Sequence, residues 1–188
     1  MELLQGIDVA IFYFLNSGIA NPIFDKIMPF ITEVDSWVLL YIFGFWYLFF
    51  KSGRTGKVTA IALIITIIVS DQLSSSVIKE IVERLRPCHT LDNVRLLVDC
   101  GGGKSFPSSH AVNNFAAAFV ITHYFRKNYI LFYLIAFAMA FSRVYIGVHY
   151  PFDVTAGAII GLMVAFLITL LVDNFDNKFI SKKKEKFK

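Results

Sequence analysis

The strongest constraint on this chain is an apolar run near its C-terminal end, residues 154–172, which contains no Asp, Glu, Lys or Arg over 19 positions. A helix of about 20 apolar residues is long enough to cross the hydrocarbon core of a bilayer. Of the 188 residues, 56% are apolar and 17% are charged, and a soluble domain of this size has too small an interior to bury so much apolar surface. The sequence therefore predicts an integral membrane protein and excludes a disordered chain, a coiled coil or a disulfide-dense secreted scaffold.

Four shorter apolar runs accompany it, at residues 37–50, 58–70, 111–125 and 129–141. These runs need polar flanking residues to reach the length of a span, and the aromatic residues at their ends suit the membrane interface. We expect an all-α, polytopic transmembrane bundle of five spans, or six if an N-terminal segment also crosses, in a single domain covering residues 1–188.

Residues 1–35 predict two amphipathic helices, because their apolar side chains recur at helical spacing. Asn21 is a natural N-cap for the second helix, and Pro22 suits its first turn. Three arrangements are compatible with this pattern: the segment lies in the membrane interface, covers the bundle, or contains one span.

Basic residues are concentrated in three segments that fall on one side of the membrane if the five spans alternate. Segments 51–57, 126–127 and 178–188 hold eleven of the eighteen Lys and Arg residues, and such clusters mark the cytoplasmic side. Two outer loops, 79–110 and 143–153, would face the other side, and the basic tail would be cytoplasmic. The net charge of +4 therefore reflects topology, and its placement does not resemble a nucleic-acid-binding surface.

The first outer segment carries two cations, Lys79 and Arg86, which are seven residues apart. On a helix this spacing is two turns, so both would project from one face, and Pro87 would end or bend the helix. The pair would attract an anion, but Glu83 lies within reach of either cation. For this segment alone, pairing with Glu83 or contact with lipid phosphates is the simpler interpretation.

A second polar segment immediately precedes the apolar run at 111–125. Ser108 or Ser109 is a natural N-cap for this helix, and the free amides of its first turn can bind an anion. His110 lies within reach of anything bound there. A capped helix with an incidental histidine explains the segment equally well.

The third polar segment contains Arg143, His149 and Asp153. If the turn before the last span is helical, His149 and Asp153 are neighbours, and a carboxylate on one imidazole nitrogen leaves the other available as a nucleophile. Arg143 suits bidentate contact with a phosphate. A His–Asp pair that only ties two segments together is the alternative for that pair in isolation.

Together the three segments bring cations, histidines, a carboxylate and a helix N-terminus to one face, as hydrolysis of a phosphate ester requires. The competing class is a non-enzymatic transporter or flippase of anionic lipids, which would use the same cations. It would not need the His–Asp pair, and it should place polar groups near the bilayer midplane, whereas here they gather at the predicted helix ends.

The sequence resembles the type 2 phosphatidic acid phosphatase superfamily of membrane lipid phosphatases. Members carry Lys-x6-Arg-Pro, Pro-Ser-Gly-His and Ser-Arg-x5-His-x3-Asp motifs in this order. The corresponding segments here run from Lys79 to Pro87, over residues 107–110, and from Ser142 to Asp153. Ser109 stands where the family usually has glycine.

The resemblance implies that His149 attacks the phosphorus and forms a phosphohistidine, that Asp153 orients His149, and that His110 protonates the leaving group. It implies no metal or other cofactor. It also implies a phosphate-binding set, which consists of Lys79, Arg86, Ser108, Ser109 and Arg143.

The implied partner is a lipid phosphate in the bilayer, with no obligatory protein partner. Small bacterial members of the superfamily suggest lipid A 1-phosphate, undecaprenyl diphosphate or phosphatidylglycerophosphate, hydrolysed at the periplasmic face of the inner membrane. Three further cations could hold the second phosphate of a diphosphate: Arg84, Arg95 and Lys104.

The two cysteines, Cys88 and Cys100, lie in the first outer loop. An oxidising periplasm would permit a disulfide between them, and two free thiols are the alternative in a reducing setting. Two histidines fall outside the motifs. His89 is interpreted as a solvated loop histidine, with a contact to the substrate as the alternative. His123 is interpreted as an interfacial residue at the end of its helix opposite His110.

Overall fold

The computed structural model describes residues 2–185, with side chains described through residue 178. Within this range the chain is helical, without a β-strand beyond one isolated bridge between Leu85 and Lys104. The prediction of an all-α fold is therefore confirmed. Most of the expected cytoplasmic tail, residues 178–188, lies outside the described side chains.

Nine α-helices follow one another along the described part of the chain. They are α1 (Glu2–Tyr13), α2 (Pro22–Thr32), α3 (Val38–Phe50), α4 (Gly53–Gln72), α5 (Lys79–Val82), α6 (Pro87–Thr90), α7 (Ser109–Tyr124), α8 (Tyr129–Tyr145) and α9 (Pro151–Glu185). A π-helical segment, Leu73–Ile78, connects α4 directly to α5.

Two of these helices are long and apolar enough to cross a membrane. They are the continuous helix Gly53–Val82, formed by α4, the π-helical segment and α5, and the part of α9 over Pro151–Lys178. The pair Glu2–Gly18 and Pro22–Thr32, bent by 114°, makes a third if it is one broken span. The expected count of five spans is therefore not confirmed.

The other expected spans are short. Val34–Phe50 and Tyr129–Tyr145 are apolar but have no more than 17 residues each. At about 1.5 Å per residue they extend roughly 25 Å, which is less than the hydrocarbon core of about 30 Å. Helix α7 has 16 residues, and its first half carries the polar side chains of His110, Asn113 and Asn114.

Helix α7 is central, because it packs against α4, α8 and α9. Small side chains allow these close approaches: Ala62 of α4, Ala116 of α7 and Ala165 of α9 are buried in one cluster. Two glycines of α9 bring it nearest to α7. A Cβ on Gly157 would lie 2.8 Å from the carbonyl oxygen of Ser108, and a Cβ on Gly161 would collide with the backbone of Val112.

The N-terminal helices cover the end of the bundle at which α8 ends and α9 begins. Asn21 caps α2 by accepting the backbone N–H groups of Ile23 and Phe24, which confirms the predicted cap. After α1, the amide of Asn16 donates to the carbonyl oxygens of Arg95 and Tyr145 at 2.8 and 2.7 Å. The N-terminal segment therefore ties the loop before α7 to the end of α8.

The contact between α7 and α9 predicts that Gly161→Ala destabilises the protein. The new methyl group has no room beside Val112, and overpacking of this kind costs about 1–3 kcal/mol. The melting temperature in detergent should fall by several degrees. Gly44→Ala is the matched control, because a Cβ added at Gly44 would meet nothing within 4 Å and alanine favours a helix over glycine. Equal melting temperatures for the two variants would contradict the packing argument.

Candidate active site

The turn between α8 and α9 places His149 beside Asp153. Gly147 has a φ of +90°, and the N–H groups of Val148 and His149 both return to the carbonyl oxygen of Arg143. Nδ1 of His149 lies 3.5 Å from Oδ2 of Asp153, with both side chains buried. This distance is longer than a hydrogen bond, but catalytic contacts often tighten when substrate binds.

Burial decides the charge state of His149. It lowers the pKa of His149 to about 4, against the smaller raising effect of Asp153. The imidazole is therefore neutral near pH 7, and one ring nitrogen carries the lone pair that a nucleophile needs. The positive charges of Arg143 and Arg86 also act on this ring and lower its pKa.

Three buried polar atoms near this ring have no hydrogen-bond partner among the described residues: Nε of Arg86, Nε of Arg143 and the hydroxyl of Ser108. Buried polar groups almost always have partners, and guanidinium and hydroxyl groups are suited to phosphate oxygens. Ser108 is the N-cap residue of α7, but its side chain does not cap the helix. This arrangement is that of an anion-binding site.

Both arginines are held by other contacts that leave Nε unpaired. Nη1 of Arg86 donates to the carbonyl oxygen of Cys100 at 2.7 Å, and Nη1 of Arg143 donates to the hydroxyl of Thr32 at 2.8 Å. Burial lowers the pKa of Arg86, because removing the cation from water disfavours its charged form. A bound anion would offset that cost.

Lys79 and His110 belong to the same cluster of polar side chains as His149, Arg86 and Arg143. The charge of Lys79 acts on Arg86 and Arg143, and His110 lies close enough to His149 and Arg143 to interact with both. The structure therefore brings the three motif segments to one site, as the sequence predicts.

Lys79 and Arg86 reach this site by a different route from the one expected. They do not share a helix, because α5 ends at Val82 and Glu83 adopts a left-handed conformation with a φ of 51°. Glu83 pairs instead with Lys104, at 3.1 Å. The predicted common helical face is therefore wrong, and the sharp turn at Glu83 brings Arg86 to the site.

Ser109, the departure from the family motif, directs its side chain toward the helix that continues α4. Its hydroxyl lies 3.2 Å from that of Ser74 and 3.3 Å from that of Ser75, both in the π-helical segment. The hydroxyl therefore takes part in helix packing, and the group that Ser109 can offer an anion is its backbone amide.

Sequence reasoning missed the role of Arg84, the first of the three cations considered for a second phosphate. Its guanidinium contacts two carboxylates, Asp8 at 2.6 Å and Asp153 at 2.8 Å. The only signal for Asp8 in the sequence is a charge at the edge of an apolar stripe. The other two cations considered also have carboxylate partners: Arg95 pairs with Asp25, and Lys104 pairs with Glu80 and Glu83.

The structure joins Cys88 and Cys100 in a disulfide. Nε2 of His89 lies 3.3 Å from Sγ of Cys100. These three residues are the one cluster of metal-ligand residue types found among the described side chains, but the disulfide leaves neither cysteine a thiolate to bind a metal ion. His123 is elsewhere, paired with Asp173 at 2.8 Å.

The helical bundle and its buried cluster of cations, histidines and a carboxylate form the arrangement expected of a membrane-bound phosphatase. The family comparison agrees: residues 58–176 match the family described as the PAP2 superfamily. The chain belongs to this superfamily and is a lipid phosphatase with transmembrane character.

Three known proteins show the relationship. The lipid A 4'-phosphatase of Bacteroides thetaiotaomicron is 35% identical over 170 residues, covering 86% of this chain and 75% of the relative. The crystal structure of Aquifex aeolicus LpxE is similar with a TM-score of 0.70 and 25% identity, covering 87% of this chain and 94% of the other. The crystal structure of a PAP2-type phosphatidylglycerolphosphate phosphatase from Bacillus subtilis is similar with a TM-score of 0.67 and 27% identity, covering 95% of this chain and 88% of the other.

The low pKa of buried His149 predicts a pH-dependent contribution to stability. A group whose folded pKa is about 4, below the ordinary 6.5, binds its proton more readily in the unfolded chain. Its contribution to stability is therefore complete above pH 6.5 and is lost as the pH falls toward 4. We expect the stability difference between the native protein and His149→Gln to shrink over this range. Unfolding in detergent at several pH values measures it, and a constant difference would refute the prediction.

Proposed function

We propose that this protein hydrolyses a phosphate ester of a membrane lipid through a phosphohistidine on His149. The observation that carries the proposal is the set of buried, unpartnered donors of Arg86, Arg143 and Ser108 next to a neutral, buried His149. Donors that are already in place stabilise the charge of a transferring phosphoryl group without reorganisation. Membership of a lipid phosphatase family favours this function over the transporter alternative.

In the proposed reaction, the lone pair of the free ring nitrogen of His149 attacks the phosphorus. The nitrogen–phosphorus bond forms as the bond from phosphorus to the lipid oxygen breaks, and His110 gives a proton to that oxygen. Before substrate binds, burial and the nearby positive charges lower the pKa of His110 to about 3, so we propose that His110 takes up this proton when the anionic phosphate group binds beside it and raises its pKa. Asp153 stabilises the positive charge that develops on His149. Water then attacks the phosphorus, His110 takes a proton from it, and phosphate leaves with neutral His149 restored.

We propose that Lys79, Arg86 and Arg143 carry the charge stabilisation that a metal ion supplies in other phosphoryl-transfer enzymes, so that no metal is required. As substrate we propose a phosphate monoester of lipid A. The support is the 35% identity, over 86% of this chain, with a relative named lipid A 4'-phosphatase. Undecaprenyl diphosphate and phosphatidylglycerophosphate are the other substrates to be compared.

The first test is His149→Ala. This variant should release no phosphate from lipid A in detergent with EDTA present, because the attacking nitrogen is gone, while its melting temperature shows that it is folded. His123→Ala is the matched control, since it removes a histidine that is also paired with an aspartate but lies at the other end of α7.

Full activity of His149→Ala would refute the mechanism. Loss of activity in His123→Ala to the same extent would show that the assay reports folding. A panel of lipid A 1-phosphate, lipid A 4'-phosphate, undecaprenyl diphosphate and phosphatidylglycerophosphate tests the substrate. A kcat/KM highest for either of the last two would contradict the lipid A proposal.

We further propose that the site faces the periplasm of a bacterial inner membrane. The turns near residues 51–57 and 126–127, which are rich in Lys and Arg, lie at the helix ends opposite the motif residues, and such residues favour the cytoplasmic side. A green fluorescent protein fused after Lys188 should fluoresce, and alkaline phosphatase fused after Gly102 should be active in the periplasm. The opposite pattern would reverse the orientation.

A further inference from the structure

We propose that Asp8 and Arg84 are positioning residues for the reaction: the guanidinium of Arg84 bridges the carboxylates of Asp8 and Asp153 and thereby fixes the group that orients His149. The inference rests on the proposed function of His149. It makes the first helix of the chain a part of the active centre.

The contacts leave Asp153 little freedom to move. Its Oδ1 accepts from Nη1 of Arg84 at 2.8 Å, and its Oδ2 accepts from the backbone N–H of Tyr150 at 2.9 Å. The same Oδ2 faces Nδ1 of His149. Without Arg84, one oxygen would lose its partner, and the carboxylate could rotate away from the imidazole.

Asp8 holds Arg84 from the opposite side. Its Oδ2 accepts from Nη2 of Arg84 at 2.6 Å, and its Oδ1 accepts from the backbone N–H of Phe152 at 2.9 Å, in the first turn of α9. The guanidinium also lies 3.8 Å from the ring centre of Tyr150. The bridge is therefore fixed by α1, by the chain after α5 and by the start of α9.

The charges explain why one guanidinium serves two carboxylates. Asp8 and Asp153 are both 0% exposed, and a buried carboxylate without a partner is strongly destabilising. Without Asp8, Arg84 would still pair with Asp153, but its positive charge would weaken the electrostatic effect of Asp153 on His149. Asp8 offsets part of that positive charge, so the carboxylate of Asp153 still acts on the imidazole. The charged groups that act on His149 are Asp153, Arg143 and Arg86.

This bridge extends beyond the part of the chain that matches the family, residues 58–176. Asp8 lies outside that range, and Arg84 lies between the two motif cations, Lys79 and Arg86. Because Nη1 and Nη2 of Arg84 both donate to carboxylates, Arg84 is not expected to bind the substrate phosphate.

The test compares Arg84→Met with Arg95→Met in the full-length protein with lipid A as substrate. Arg95 is a matched control, because it also pairs with an N-terminal carboxylate, Asp25, at a similar exposure of 30% against 25% for Arg84. We expect kcat of Arg84→Met to fall by about 100-fold, the scale of a misplaced reacting group, with KM unchanged. Arg95→Met should retain kcat.

Two further variants separate positioning from a purely structural role. Arg84→Lys should recover part of kcat, because it restores a cation beside Asp153. Asp8→Asn should lower kcat to a smaller extent than Arg84→Met. The double variant Arg84→Met with Asp8→Asn should have a kcat no lower than that of Arg84→Met alone. Asp8 acts through Arg84, and the effects of coupled residues on kcat do not add.

The inference is overturned if Arg84→Met keeps its kcat like Arg95→Met, or if it raises KM, which would make Arg84 a substrate-binding cation. If Arg84→Met does not fold, Asp8→Asn decides: a lowered kcat at unchanged KM supports the bridge, and an unchanged kcat refutes it. His149→Ala is assayed alongside. An active His149→Ala refutes the proposed function itself, whereas an inactive one with fully active Arg84→Met refutes only the bridge.

Discussion

The site depends on one buried carboxylate, that of Asp153, and on the groups that pair with it. Asp153 has no access to solvent, and burying a charge is tolerated only when it is paired and hydrogen-bonded. Its side chain contacts Arg84, the backbone of Tyr150 and His149, and its backbone carbonyl oxygen accepts the N–H of Ser108. The first residues of α7 and α9 and the segment after α5 therefore meet at this residue, which explains how three distant motifs form one site.

The same physical rule divides the cations at this end of the bundle into two groups. Arg84, Arg95 and Lys104 are compensated by carboxylates. Arg86 and Arg143 are held by neutral oxygens and keep an unpaired Nε in the interior. Of these five cations, only Arg86 and Arg143 are left to bind an anionic ligand, together with Lys79 of the proposed site. Positive charge alone therefore does not identify a phosphate site; the partner of each charge does.

The sequence predicted much of the site because its motif residues act through their chemical type. His149 and Asp153 are four residues apart, and a turn at Gly147 followed by the start of α9 is enough to bring them together. The prediction that Lys79 and Arg86 share a helical face was wrong for a local reason, because Glu83 adopts a left-handed backbone conformation and ends the helix. The span count was not confirmed, because hydropathy measures how apolar a run is, whereas a span also needs a helix long enough to cross the bilayer.

The sequence by itself determined the all-α membrane class, because this follows from composition and periodicity. Its three motifs pointed to the family and to the residues proposed to carry the chemistry, because those motifs are short-range spacings. Only the tertiary structure decided which cation meets which carboxylate. Arg84 and Asp8 are 76 residues apart, and no local pattern links them. Their contact follows from the packing of α1 over the start of α9, and in a low-dielectric interior the partner determines what a charged residue can do.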